Sequence, residues 1–155
     1  MNIFNETLQL AKMLFTDVDS EHEVKLIPMD HYPLKGYKYM MWCGNIIYRT
    51  DDKDGKNIDI YNRNHEMIHV EQAKDEGSWI KYYIRYLIEK IKLNTFTKKS
   101  YYLNKFEVEA YAKMMDLSYV GRRKIFNVDL FVIKDYDFID SFSYKIEIRK
   151  MFEKI

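Results

Sequence analysis

The sequence predicts an α+β fold in which a small antiparallel or mixed sheet packs on two helices, one carrying His65-Glu66-x-x-His69 and a later one carrying Glu107. Three observations predict it. Apolar residues recur at helical spacing near the N-terminus and again from Trp79 onward; Val-, Ile- and Tyr-rich runs broken by Pro and Gly fill Glu23 to Thr50; and two histidines four residues apart follow that strand region. With 155 residues, 47 % of them hydrophobic and 16 % aromatic, the chain reads as a single domain over 1–155 with a sizeable core.

Phe4, Leu8, Ala11 and Leu14 or Phe15 form the apolar stripe of a first helix expected to pack on the domain. Glu23 to Ile27, Tyr37 to Trp42 and Asn45 to Thr50 read as strands, and Asp54-Gly55 as a hairpin turn leading into a further strand-like run, Asn57 to Tyr61. The His65-containing helix has Asn62 and Asn64 as candidate N-caps and Gly77 as its stop. Trp79 to Leu93 is a second long helix with Ile80, Tyr83, Ile84, Leu87 and Ile91 on one stripe. A polar break from Asn94 to Ser100 precedes a third helix, from Tyr101 or Asn104 to Tyr119, ending at Gly121. Ile125 to Ile133 reads as a strand, and Phe138 to Ile155 as an amphipathic tail of either type.

Bulk properties exclude several classes of function. A net charge of +1 carries no footprint of a nucleic-acid binder or of a protein held to acidic membranes, and Arg122-Arg123-Lys124 reads as solvated surface. No uncharged run approaches the roughly 18 residues a membrane span needs. Cys43 is the single cysteine, so no internal disulfide exists, and the first residues do not read as a signal peptide. The expectation is a cytoplasmic protein. Asp52, Asp54 and Gly55 match part of a calcium loop, but its first and twelfth positions would be Thr50 and Tyr61, which excludes that reading.

The stretch Asn64 to Gln72 carries the chemistry. Side chains four apart on a helix lie about 5–6 Å apart on one face, so His65 and His69 can offer two imidazoles to one ion. Glu66 is rotated by about 100° from His65 and stands beside that ion, placed to act as a base. A zinc site needs a third ligand. Glu107 and Glu109 are the candidates: Glu107 shares its row with Leu103, Ala110, Tyr111 and Met114, while Glu109 shares its own with Tyr102, Lys105, Lys113 and Asp116. The first row is apolar and the second solvated, so Glu107 is expected to face inward. Asn104 and Glu107 also have the spacing of a capping box, in which Glu107 would fold back on the helix start and stay exposed. The HExxH helix favours the ligand role, and two histidines with one glutamate leave a fourth position for water.

His65-Glu66-x-x-His69-x-x-Gln72 followed by Phe106-Glu107-Val108-Glu109-Ala110-Tyr111-Ala112 resembles the small gluzincin-type metallopeptidases, among them the minigluzincins and the catalytic core of the CAAX prenyl proteases. It is also similar to a group of short uncharacterised bacterial proteins with HExxHxxQ and a Phe-Glu-x-Glu-Ala-Tyr helix. The resemblance covers about Asn57 to Arg123 and implies a zincin-like fold, one Zn²⁺ per chain held by His65, His69 and Glu107, and Glu66 as general base. It departs where Tyr111 replaces the Asp that orients a zinc-binding histidine in the larger proteases.

The expected activity is hydrolysis of a peptide or protein substrate through a water held at the metal, with Glu66 taking its proton and passing it to the leaving amine. Tyr111 or the His31-Tyr32 pair are candidate oxyanion donors, and Gln72 is placed to orient a ligand or substrate. The strand near Asn45 to Thr50 is the expected edge for a bound peptide. The rival reading is a zinc-binding interaction module without turnover, its fourth position filled by Cys43 or His31.

Overall fold

The computed structural model describes residues 1–19, 21–52, 54–93, 98–133 and 141–155. Among them the chain is α+β, with seven α-helices and one three-stranded mixed sheet. In chain order these are α1 (Ile3–Met13), β1 (Lys25–Met29), β2 (Tyr39–Trp42), β3 (Asn45–Arg49), α2 (Ile60–Glu76), α3 (Trp79–Lys92), α4 (Lys98–Leu103), α5 (Lys105–Lys113), α6 (Tyr119–Arg122), a 3-10 turn at Asn127–Leu130, and α7 (Ser141–Met151). None of these helices is long and apolar enough to cross a membrane.

The sheet order is β1-β3-β2, with β1 parallel and β2 antiparallel to β3. Strand β3 is therefore the centre, not the edge expected from the sequence; among the described residues β1 and β2 carry the free edges. Successive side chains of a strand point to opposite faces. Ile46 accordingly packs with Val70, Ala73, Trp79 and Tyr82, and Ile47 with Leu10 and Met29 beneath α1. The hairpin joining β2 to β3 turns at Cys43-Gly44, at φ 46° and 72°, as a two-residue turn needing positive φ at both central positions requires. A Cβ on Gly44 would also fall 2.5 Å from the His22 ring nitrogen.

Asp54-Gly55 turns the chain without starting a second strand. Asn57 to Tyr61 is instead the approach to α2, because the Asp59 carboxylate accepts from the backbone N–H groups of Tyr61 and Asn62 and starts the helix there. Gly77 ends it in the left-handed conformation, and Ser78 caps α3 one residue later. The first helix forms as expected but presents the opposite face. Phe4, Leu8 and Phe15 are exposed, whereas Glu6 and Leu10 are buried, since the Glu6 carboxylate accepts from the backbone N–H groups of Asp30 and His31 at the end of β1.

The predicted third helix is divided. Asn104 is fully buried, caps α5 through its Oδ1 and donates through Nδ2 to the Tyr86 carbonyl, so the chain breaks between α4 and α5. Gly121 lies inside α6 and is not a stop. Ile125 to Ile133 contains no strand: Phe126 is left-handed, its N–H donates to Asp75, and the 3-10 turn follows. Residues 94–97 of the polar break and 138–140 of the tail lie outside the described residues; α7 accounts for most of the remaining tail.

Candidate metal centre

The site is set by how α2 and α5 are laced together. Asn64, one residue before His65, donates to the carbonyls of Met114 (2.9 Å) and Asp116 (3.1 Å) at the end of α5. The last carbonyls of a helix have no partner within it, so Asn64 serves the C-terminus of α5 and not the start of α2. Two turns further along α2, Gln72 donates through Nε2 to the Phe106 carbonyl at 2.9 Å, at the start of α5. The helices therefore run antiparallel with a fixed register, and Glu107 comes opposite His65 and His69.

His65 Nε2 and His69 Nε2 lie 3.1 Å apart, and Glu107 Oε2 lies 3.4 Å from the first and 3.5 Å from the second. Tetrahedral coordination at about 2.0–2.2 Å separates ligand atoms by about 3.3–3.6 Å. The triangle has close to those dimensions. Glu66 also comes within 4.8 Å of both rings, but Glu107 alone reaches ion-pair distance to each, so Glu107 is the better third corner and Glu66 stands alongside. All four side chains are at least nine-tenths buried.

The protonation pattern follows from the partners. Gln72 Nε2 also donates to Glu109 Oε2 at 2.8 Å, and because a carbonyl and a carboxylate only accept, the amide orientation is fixed with Oε1 toward His69 Nδ1 at 2.8 Å. That oxygen accepts, so Nδ1 carries a proton and Nε2 is left to face the triangle. Tyr82 Oη adds a second contact to the same Nδ1, at 3.1 Å. Tyr86 donates to Glu107 Oε1 at 2.9 Å. Glu107 Oε2 and Glu66 Oε2 are buried without any hydrogen-bond donor, as is His65 Nδ1 without a partner, among the described residues.

Electrostatics record the same convergence. Burial raises the Glu107 carboxyl, but the facing imidazoles outweigh it and hold the group below the ordinary carboxylate range. Burial works against a charged His69, yet the Glu107 carboxylate beside it wins and the ring is pushed up to about 9. For Glu66 burial dominates, and its pKa is raised. Two ring nitrogens and a carboxylate oxygen at these separations need a cation among them, either a proton or a metal ion. The residues fit a divalent ion of zinc's ligand preference.

The other residues singled out in the sequence fall as follows. Tyr111 lies against His65 with ring centroids 4.4 Å apart and planes tilted by 58°, and its hydroxyl meets that of Tyr101 at 3.2 Å. His31 Nδ1 pairs with Glu6 at 3.2 Å and Tyr32 Oη with Thr7 at 2.9 Å, so both side chains sit against α1, and neither lines the cavity in front of the triangle. Cys43 is buried among Val24, Val70 and Trp79, and burial pushes its thiol up to about 12. Neither Cys43 nor His31 lines the cavity in front of the triangle.

Glu109 corrects the reading of α5. It is fully buried, not solvated, and the Arg123 side chain is buried beside it, donating to it from Nε at 2.6 Å and pairing with Asp75 at 2.8 Å. Sequence reasoning missed this group and the three tyrosines, Tyr82, Tyr86 and Tyr101, that surround the site. The one signal was their spacing on α3: Tyr82 and Tyr86 are four apart, one turn, on the side facing away from the aliphatic stripe.

The triangle opens into a cavity of about 450 Å³ whose wall includes Tyr39, Met40, Met41 and Trp42, that is, all of β2. The strand at the cavity is thus β2, which has a free edge, in place of the central β3. No protein family, no curated protein and no solved structure matches this chain.

Proposed function

We propose that the protein is a zinc-dependent peptidase with a zincin-like fold, in which His65, His69 and Glu107 hold the metal and Glu66 is the general base. The observation that carries this reading is the buried Glu107 Oε2, which has no hydrogen-bond donor and faces two imidazole nitrogens at 3.4 and 3.5 Å. A buried carboxylate oxygen without a hydrogen-bond donor is costly, and a cation at the centre of the triangle removes that cost.

When bound, Zn²⁺ supplies a Lewis acid and lowers the pKa of water in its open position to about 7. The chain's own residues do the rest. Glu66 Oε2, buried and free of donors, accepts a proton from a water in the cavity and returns it to the leaving amine. Gln72 and Tyr82 hold the His69 ring, and Tyr86 holds Glu107, so that none of these groups must reorganise during reaction. A peptide backbone lying along the free edge of β2 would bring a carbonyl to Glu66. The cavity in front of the triangle, with Cys43 and His31 held elsewhere, supports turnover over a closed zinc-binding module.

Elemental analysis and cleavage of a broad peptide panel by wild type and Glu66→Gln test the reading together. The expected result is near-stoichiometric zinc in both proteins and cleavage only by wild type. Zinc without cleavage in either would favour the interaction module, and no zinc in either would overturn both.

A further inference from the structure

Resting on the peptidase reading, we infer that the cavity selects a peptide side chain that is large and apolar. The wall beside the triangle carries seven rings: Tyr39 and Trp42 of β2, Trp79, Tyr82, Tyr83 and Tyr86 of α3, and Tyr101 of α4. Each has a polar atom that would otherwise suit a polar ligand, and in five of them, Trp42, Tyr82, Tyr83, Tyr86 and Tyr101, that atom is already engaged inside the protein. Trp42 Nε1 donates to the Leu10 carbonyl at 2.8 Å, and Tyr83 Oη accepts from the Cys43 N–H at 3.0 Å. The Tyr82 hydroxyl is at His69, the Tyr86 hydroxyl at Glu107, and the Tyr101 hydroxyl at Tyr111.

What these five rings turn toward the cavity is therefore carbon. A hydroxyl or amide packed against those five rings leaves water without gaining a partner from them, and a charged group loses more. An aromatic or long aliphatic side chain loses nothing and buries its surface against ring faces and edges. The rings also brace each other: Trp42 stacks on Tyr83 at 4.9 Å and 20°, and Tyr82 meets Phe106 edge-on at 5.4 Å. The wall is preformed, so binding does not have to order it. The donor-free oxygens at the cavity floor, Glu66 Oε2 and Glu107 Oε2, further disfavour an acidic side chain.

The chain has two tryptophans, and both line this cavity, so its intrinsic fluorescence reports occupancy directly. The test is a fluorescence titration of zinc-loaded Glu66→Gln protein with capped peptides that differ only in one central residue: Phe, Leu, Ser, Lys or Asp. The expected result is saturable change with Phe and Leu at dissociation constants about tenfold or more below those of the polar peptides, the usual scale for an apolar pocket. Equal affinity across the series, preference for Ser, Lys or Asp, or no saturable change with any peptide would overturn the inference. The two readings fail separately. Preferential binding of Phe and Leu without cleavage by wild type removes the peptidase and keeps the pocket, whereas cleavage of every peptide at equal kcat/KM does the reverse.

Discussion

Glu107 and Glu109 stand two residues apart on α5, both are buried, and they are in opposite states of satisfaction. Glu109 accepts from Arg123 Nε (2.6 Å), Tyr119 Oη (2.8 Å), Gln72 Nε2 (2.8 Å) and Arg123 Nη2 (3.2 Å), so both of its oxygens are covered. Among the described residues Glu107 accepts a hydrogen bond from Tyr86 alone, and its other oxygen faces two imidazoles with no donor between. A carboxylate whose partners are all protein groups is part of the architecture; one left incomplete at the floor of a cavity is where a cation from outside the protein would be accommodated. Gln72 joins the two, donating to Glu109 while accepting from His69. The architectural carboxylate thereby fixes the ring that faces the incomplete one.

The comparison breaks most visibly at Arg123. Arg123→Ala removes the cation shared by Glu109 and Asp75 and leaves two carboxylates buried; the expected loss is about 3–5 kcal/mol in urea unfolding. A loss below about 1 kcal/mol would mean that Glu109 is not the structural member of the pair. Glu107→Gln should act on metal alone. It keeps the acceptor for Tyr86 and abolishes the stabilisation that wild type gains from zinc, about 2.7 kcal/mol when free zinc is 100 times its dissociation constant. Retention of that gain in thermal unfolding would remove Glu107 from the ligand set.

Gln72→Leu sharpens the link between the two carboxylates. Loss of an outer contact to a metal-binding histidine costs about 10- to 100-fold in metal affinity, which competition with a chelating dye would measure. Unchanged affinity would mean that Tyr82 orients His69 unaided. The smallest effect belongs to Cys43. Cys43→Ala should leave zinc content and the spectrum of the cobalt-substituted protein unchanged, because the thiol is buried away from the cavity with its pKa pushed up to about 12. A thiolate-to-cobalt charge-transfer band in wild type that disappears in Cys43→Ala would restore the closed interaction module.

Much of this was legible in the chain because it depends on local spacing. His65 and His69 share a helix face by their separation alone, Gly77 ends α2 because it tolerates the left-handed conformation, and α3 forms where expected, although Ile84, Leu87 and Ile91 of its predicted stripe are exposed and Trp79 and Tyr82 are buried instead. Other readings failed for one recurring reason. The apolar stripe of α1 was expected inside, but the buried face is organised by Glu6, whose carboxylate serves backbone N–H groups of a distant turn. The strand expected at Ile125 to Ile133 gave way to a turn tied down by Asp75.

The sequence by itself determined which residue types can meet a metal ion and that two of them lie on one helical face. Only the tertiary structure decided that Glu109 is buried beside Glu107, that β2 and not β3 borders the cavity, and that Asn64 and Gln72 set α5 in register with α2. The physical reason is that a polar side chain goes inside when a partner satisfies it there, and the partners of Glu109 come from α2 and from Tyr119 and Arg123, beyond the reach of any local pattern.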